Sequence, residues 1–128
     1  MTAHQPSRIA SIAAAVGGGL GVGLLGTALH AHLWYTGNAA VPLGAVGALL
    51  LLAAVVLFVG LWSRSGWMSM LTGVVTYVCA GVLSLQVGSY GLISGNLQGE
   101  LWLYGIAVVT PLVALLCLWI LRRSARGR

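Results

Sequence analysis

The chain reads as an all-α membrane protein: four transmembrane helices arranged as two hairpins in a compact bundle, with both termini cytoplasmic. Three observations predict this. Of 128 residues, 59% are hydrophobic and only 5% charged, against roughly 25% charged in ordinary soluble domains. Four apolar runs, about 9–29, 41–62, 67–88 and 101–121, each meet the ~20-residue length needed to cross a bilayer. All six basic residues, Arg8, Arg64, Arg122, Arg123, Arg126 and Arg128, lie outside those runs. A single four-helix transmembrane domain then accounts for residues 1–128, closed by a basic tail over 122–128.

The first run begins after Arg8. Gly26-Thr27-Ala28 has the small-x-small look of a signal cleavage site, but the run exceeds the ~7–15 apolar residues of a signal peptide and reads as a retained span. Its stretch GGGLGVGLLG, Gly17 to Gly26, contains G-x-G-x-x-G at Gly21, Gly23 and Gly26. A dinucleotide fingerprint needs a preceding strand, a helix N-terminus and an acid about 20 positions on. None is present here. The glycines read instead as packing positions: Gly17/Gly21 and Gly19/Gly23 are small-xxx-small pairs, and Gly19, Gly23 and Gly26 form one stripe. Small residues let helices approach closely where lipid supplies no hydrophobic drive.

The second run follows a turn-prone Thr36-Gly37-Asn38 and ends before Arg64. The third carries a polar stripe, Thr72, Thr76, Cys79, Leu83, Gln86 and Tyr90, that could line a path for a permeant or, more simply, bond to neighbouring helices. The fourth contains Pro111 after Thr110, which removes one backbone donor and predicts a bend. Arginine flanks every end on one side and is missing from the loops around Asn38 and Asn96. By the positive-inside rule the termini are therefore cytoplasmic, in a bacterial plasma membrane. Trp62, Trp67 and Trp119 form the expected inner aromatic belt, and Trp34, Tyr35, Tyr90, Trp102 and Tyr104 the outer one.

The net charge of +5 does not indicate nucleic acid, because four of the six arginines follow the last span directly and suit anionic lipid. Two cysteines, Cys79 and Cys117, lack Cys or His partners at ligand spacing and read as small apolar residues. The two hairpins echo one another 58 residues apart, with Leu43 on Leu101, Gly47 on Gly105 and Arg64 on Arg122. A true duplication predicts two equivalent helix pairs about an axis along the membrane normal.

Titratable groups gather at the outer rim: His30, His32 and Glu100, with Asn38, Asn96, Gln98 and Tyr104 nearby. Two histidines and a glutamate suffice in kind for zinc, yet H-x-H at a helix end puts the rings on opposite sides. No metal and no cofactor are expected, and these side chains read as solvated loop polarity, with a pH-responsive rim contact as the alternative. Catalysis needs a base positioned beside a nucleophile, and the spans hold neither carboxylate nor deep histidine. Gly88-Ser89-Tyr90-Gly91 reads as a tight turn.

The features "GTALHAHLW" closing the first span, "PLGAVGALLLLA" opening the second and "LISGNLQGELWLYG" leading into the fourth resemble an uncharacterised actinobacterial family of small four-span membrane proteins. Its members are often encoded beside a mycothiol-biosynthesis deacetylase. That resemblance implies the fold and carries no functional residue. In length and in "GGGLG" the chain is also similar to small fluoride channels, but it lacks their arginine after the glycines, their Asn-bearing second-span motif and their dual insertion. Small multidrug exporters depend on a first-span glutamate, and none is present. The sequence therefore favours a non-enzymatic structural or accessory protein in a homo-oligomer or larger membrane complex, with His30, His32, Asn38, Asn96, Glu100, Thr72, Thr76 and Gln86 as candidate contact residues. The alternative is a small transporter or channel subunit with a polar path along the third span.

Overall fold

A computed structural model describes residues 5–37, 39–85 and 97–127. Four helices carry the fold: α1 (Arg8–Leu29), α2 (Leu43–Trp62), α3 (Gly66–Ser84) and α4 (Leu97–Arg126). All four are long and apolar enough to span a membrane. A short antiparallel hairpin, β1 (Trp34–Thr36) and β2 (Ala39–Val41), joins α1 to α2 with Thr36 opposite Ala39. Gly37 turns the chain there with φ of 62°, a left-handed conformation that costs glycine nothing. The sequence suggested only a turn at this place; the flanking strands were hidden in three-residue segments too short to show a period.

Each boundary has a local cause. Ser7 caps α1, its hydroxyl accepting from the Ala10 amide at 3.2 Å. Pro42 precedes α2, where a missing donor is harmless. The α2–α3 turn closes with the Ser65 amide on the Gly60 carbonyl (3.0 Å) and the Arg64 amide on Leu61 (3.2 Å), the paired bonds of a Schellman end. Arg64 occupies its left-handed position with φ of 52°, where glycine is the usual residue.

The helix α4 runs on into the basic tail, staying helical through Arg123 and Arg126. Arginine is a good helix former and is favoured near the negative end of the helix dipole. Pro111 lies inside this unbroken helix.

The helices form a four-sided ring. α1 packs on α3 and α2, α4 packs on α2 and α3, and α2 touches α3 across the diagonal. Connectivity places Arg8, Arg64, Arg122, Arg123 and Arg126 at one end. The interior is unusual for its small and polar residues: Ser11, Ala15, Gly19, Gly23, Ala45, Ala48, Ser69, Thr72, Thr76 and Ala80 are buried. Leu24, Leu50, Phe58, Val82 and Leu112 face outward. Lipid is as apolar as leucine, so nothing drives such side chains inward, whereas small residues gain close helix contact.

Glycine decides which face of α1 is inside. A Cβ on Gly19 would stand 2.7 Å from the Thr72 carbonyl oxygen, and one on Gly23 2.7 Å from the Cys79 sulfur. Gly26 lies under the ring of Trp102. Gly17 and Gly21 differ: nothing lies within 4 Å of a Cβ built on either. Their expected packing role is therefore absent within the chain, because they lie on other faces of the helix than the one α3 covers.

The duplicated-hairpin expectation also fails as symmetry. A twofold exchanging α1 with α3 and α2 with α4 would make α1–α4 packing a copy of α2–α3 packing. Instead α2 packs along α3, while α1 and α4 occupy opposite corners.

Leucine at Gly19 or Gly23 should destabilise the folded chain by at least the ~1–3 kcal/mol typical of overpacking, because backbone and a short side chain cannot move aside. Leucine at Gly17 or Gly21 should leave stability unchanged; thermal unfolding in detergent checks the contrast.

Candidate functional site

The polar residues of the sequence reading divide among three places. The first is the α1–α3 seam. Thr72 and Thr76 are fully buried. Thr72 Oγ1 donates to the Met68 carbonyl one turn back (2.9 Å). Thr76 Oγ1 shares its single proton between the Thr72 carbonyl (3.0 Å) and, across the interface, the Gly19 carbonyl (3.1 Å). One turn nearer the arginine end, Ser69 Oγ donates to the Val56 carbonyl of α2 at 3.0 Å. Hydroxyls thus tie α3 to α1 and, across the diagonal, to α2, and the missing side chain at Gly19 is what exposes a main-chain carbonyl to Thr76. Cys79 is half-buried against Gly23, and Cys117 is buried as a free thiol.

The second is a node at the opposite end from the arginines. His30 is only 2% exposed, and its Nδ1 lies 2.5 Å from the Thr27 carbonyl. A carbonyl can only accept, so this nitrogen carries the proton. Trp102, fully buried, donates from Nε1 to Thr27 Oγ1 at 3.3 Å. Two rings therefore converge on one threonine, and Trp102 bridges the diagonal between α4 and α1. Two sequence expectations are corrected here. His30 is a buried, bonded residue of the helix end and not a wet rim group, and Trp102 is interior, not part of an aromatic belt. The belt residues Trp34, Tyr35 and Tyr104 are exposed, as are Trp62, Trp67 and Trp119 near the other end.

His32 and Glu100 are exposed, so the two histidines of H-x-H part company. Glu100 sits in the first turn of α4, where a carboxylate complements the positive end of the helix dipole. Among the described residues no three of His, Cys, Asp and Glu come together. Asn38, Gln86, Tyr90 and Asn96, with the Gly88–Gly91 turn, lie outside the described residues.

The third place is the α3–α4 crevice, which sequence reasoning missed. Gly73 has no side chain, so Thr110 of α4 lies directly on it. Thr110 is 5% exposed, and its Oγ1 is the one buried side-chain oxygen or nitrogen without a partner among the described residues. Pro111 cannot donate to the Ala107 carbonyl four residues back, and both residues line the same crevice. The available signal was the stripe Gly99, Trp102, Ile106, Thr110, Ala114 and Cys117, all buried, at i, i+3, i+7, i+11, i+15 and i+18. It is visible only once α4 is known to face inward along its small and polar residues.

No protein-family model, curated protein or solved structure matches the chain.

Replacing Thr76 by Val should lower stability by roughly 0.6–1.7 kcal/mol, the range for hydrogen bonds between membrane helices. Trp102→Ala should cost about 3–5 kcal/mol, while His32→Ala stays within about 0.5 kcal/mol of the parent. Chemical unfolding in mixed micelles gives all three.

Proposed function

We propose that this small multi-pass membrane protein is a non-enzymatic structural or accessory component of a membrane assembly, held in a bacterial plasma membrane with both termini cytoplasmic. One observation supports this above the others: the two threonines of the α3 polar face are closed off. Thr72 and Thr76 are fully buried and bonded to main-chain carbonyls. A transport path would need those hydroxyls free to exchange partners with water or a permeant. The small-transporter alternative therefore loses Thr72 and Thr76 from its lining.

The same closure changes how assembly would work. The Gly19/Gly23 face and the α3 polar face, which the sequence offered as surfaces for other copies or other proteins, satisfy each other inside one chain. What α1 leaves outward is Gly17 and Gly21, a small-xxx-small pair with open space above it, suited to close approach by a neighbouring helix. The enzyme reading finds little support in a chain whose one acidic side chain, Glu100, is exposed at a helix end. The resemblance to the actinobacterial four-span family belongs to the same proposal.

Affinity purification in mild detergent with native mass determination tests the reading. A stoichiometric membrane partner or a defined oligomer is expected, weakened by Gly17→Leu with Gly21→Leu while the monomer stays folded. A lone monomer that supports ion or solute flux in liposomes would overturn it. Cysteines placed at Thr72 and Thr76 should resist membrane-impermeant thiol reagents; rapid labelling would restore the transport path.

Topology has its own test. Arg64→Gly should keep or slightly raise stability, by up to about 1 kcal/mol, because glycine relieves the left-handed position. It also removes the only basic residue between α2 and α3, so reporter fusions read charge-directed orientation without a folding penalty. Loss of orientation in this variant would assign the cytoplasmic side to Arg64; unchanged orientation would assign it to Arg8 and the end of α4.

A further inference from the structure

We infer that the α3–α4 crevice at the arginine-bearing end is a groove for one anionic phospholipid of the adjoining leaflet, its acyl chain between the helices and its phosphate on Arg122 and Arg126. The groove has a volume of about 420 Å³ and runs between Gly66, Trp67 and Met70 on α3 and Pro111, Leu115 and Leu118 on α4. It falls within the ~300–1,000 Å³ of small-molecule sites. Gly66 makes the floor, with Leu118 lying directly upon it at 2.6 Å from a Cβ position. Met70 and Pro111 also line the next crevice toward the bilayer centre, so the two adjoin.

The occupant follows from alignment and charge. Pro111, Leu115, Leu118, Arg122 and Arg126 recur at i, i+4, i+7, i+11 and i+15, one face of α4. The apolar wall therefore continues along α4 into the register positions of Arg122 and Arg126. Eleven residues separate Pro111 from Arg122, or about 16 Å along a helix, close to half of the ~30 Å hydrocarbon thickness. A chain whose phosphate meets Arg122 thus ends near the bilayer centre, where Pro111 lies.

Arg122 and Arg126 have no acidic side chain to pair with among the described residues near them. Glu100 is the sole acidic side chain, about 33 Å away along α4. Arg123 points elsewhere, stacked 5.2 Å from the centre of the Trp119 ring. No acidic side chain reaches Arg122 and Arg126, and at this depth the phosphate of an anionic lipid matches their charge. A second copy of the chain would bring the same positive charge to the same mouth, which disfavours it as the occupant.

The test uses the purified full chain in nanodiscs of equal phosphatidylglycerol and phosphatidylcholine, released for native mass measurement. One phosphatidylglycerol should be retained in preference. Arg122→Gln with Arg126→Gln should cut that preference about fivefold or more, taking about 1 kcal/mol per arginine as a guide. Arg8→Gln and Arg123→Gln should leave it intact. Leu115→Trp, which fills the groove from an outward-facing position, should release the lipid with every charge in place; Met70→Trp fills it from the other wall. Equal retention of both lipids, equal losses from Arg8→Gln and Arg122→Gln, or lipid unaffected by both filling variants would overturn the groove. So would a filling variant that abolishes a dimer mass and leaves the lipid.

Discussion

The close approach of α1 to α3 is the constraint on which the bundle depends. At Gly19 and Gly23 two parallel helices meet with nothing but hydrogen on one side, and the Gly19 carbonyl becomes an acceptor for Thr76. In a bilayer such contact has to do the work that hydrophobic burial does in water. It fixes the rotation of α1, which in turn sends Leu20, Leu24 and Leu25 outward to lipid. With α1 lying against α3, α4 is left to pack on α2 and α3, and only the Trp102 ring reaches back to α1 over Gly26.

Much of the architecture was legible because the bilayer imposes coarse rules. Four apolar runs bounded by arginine or turn residues could hardly be anything but four membrane helices, and the described ends of α1 and α2 fall within about two residues of those read from hydropathy. The glycine stripe Gly19, Gly23 and Gly26 was legible too, since small residues at helical spacing need a neighbour. Its partner was not. Nothing in Gly19 names Thr72 or Thr76, and the same spacing fits a helix of another molecule equally well. Gly17 and Gly21 show the limit from the other side, sharing the pattern but facing outward.

The site was harder to read because burial at a helix end depends on what crosses above it. His30 and His32 are two residues apart and chemically identical, yet one is buried and bonded to Thr27 while the other is exposed. Trp102 looked like an interfacial ring because most tryptophans in such positions are. Only the gap above Gly26 gives it an interior place, and that gap is a property of two helices 75 residues apart in sequence at Thr27 and Trp102. Thr110 is the reverse case: a residue whose role was read as a bend with Pro111 stands out by an oxygen left without a partner.

The order of the ring bears on how the protein is made. α1 leaves the ribosome long before α3, so its glycine face has no proper neighbour when it enters the membrane, and the hairpin with α2 covers only part of it. Made in chain order, α1 first has α2 beside it, and its Gly19 and Gly23 face is met only when α3, with Thr72 and Cys79, follows. The glycine face is therefore covered late in synthesis: a chain ending after α2 would leave Gly19 and Gly23 without the α3 residues that lie on them.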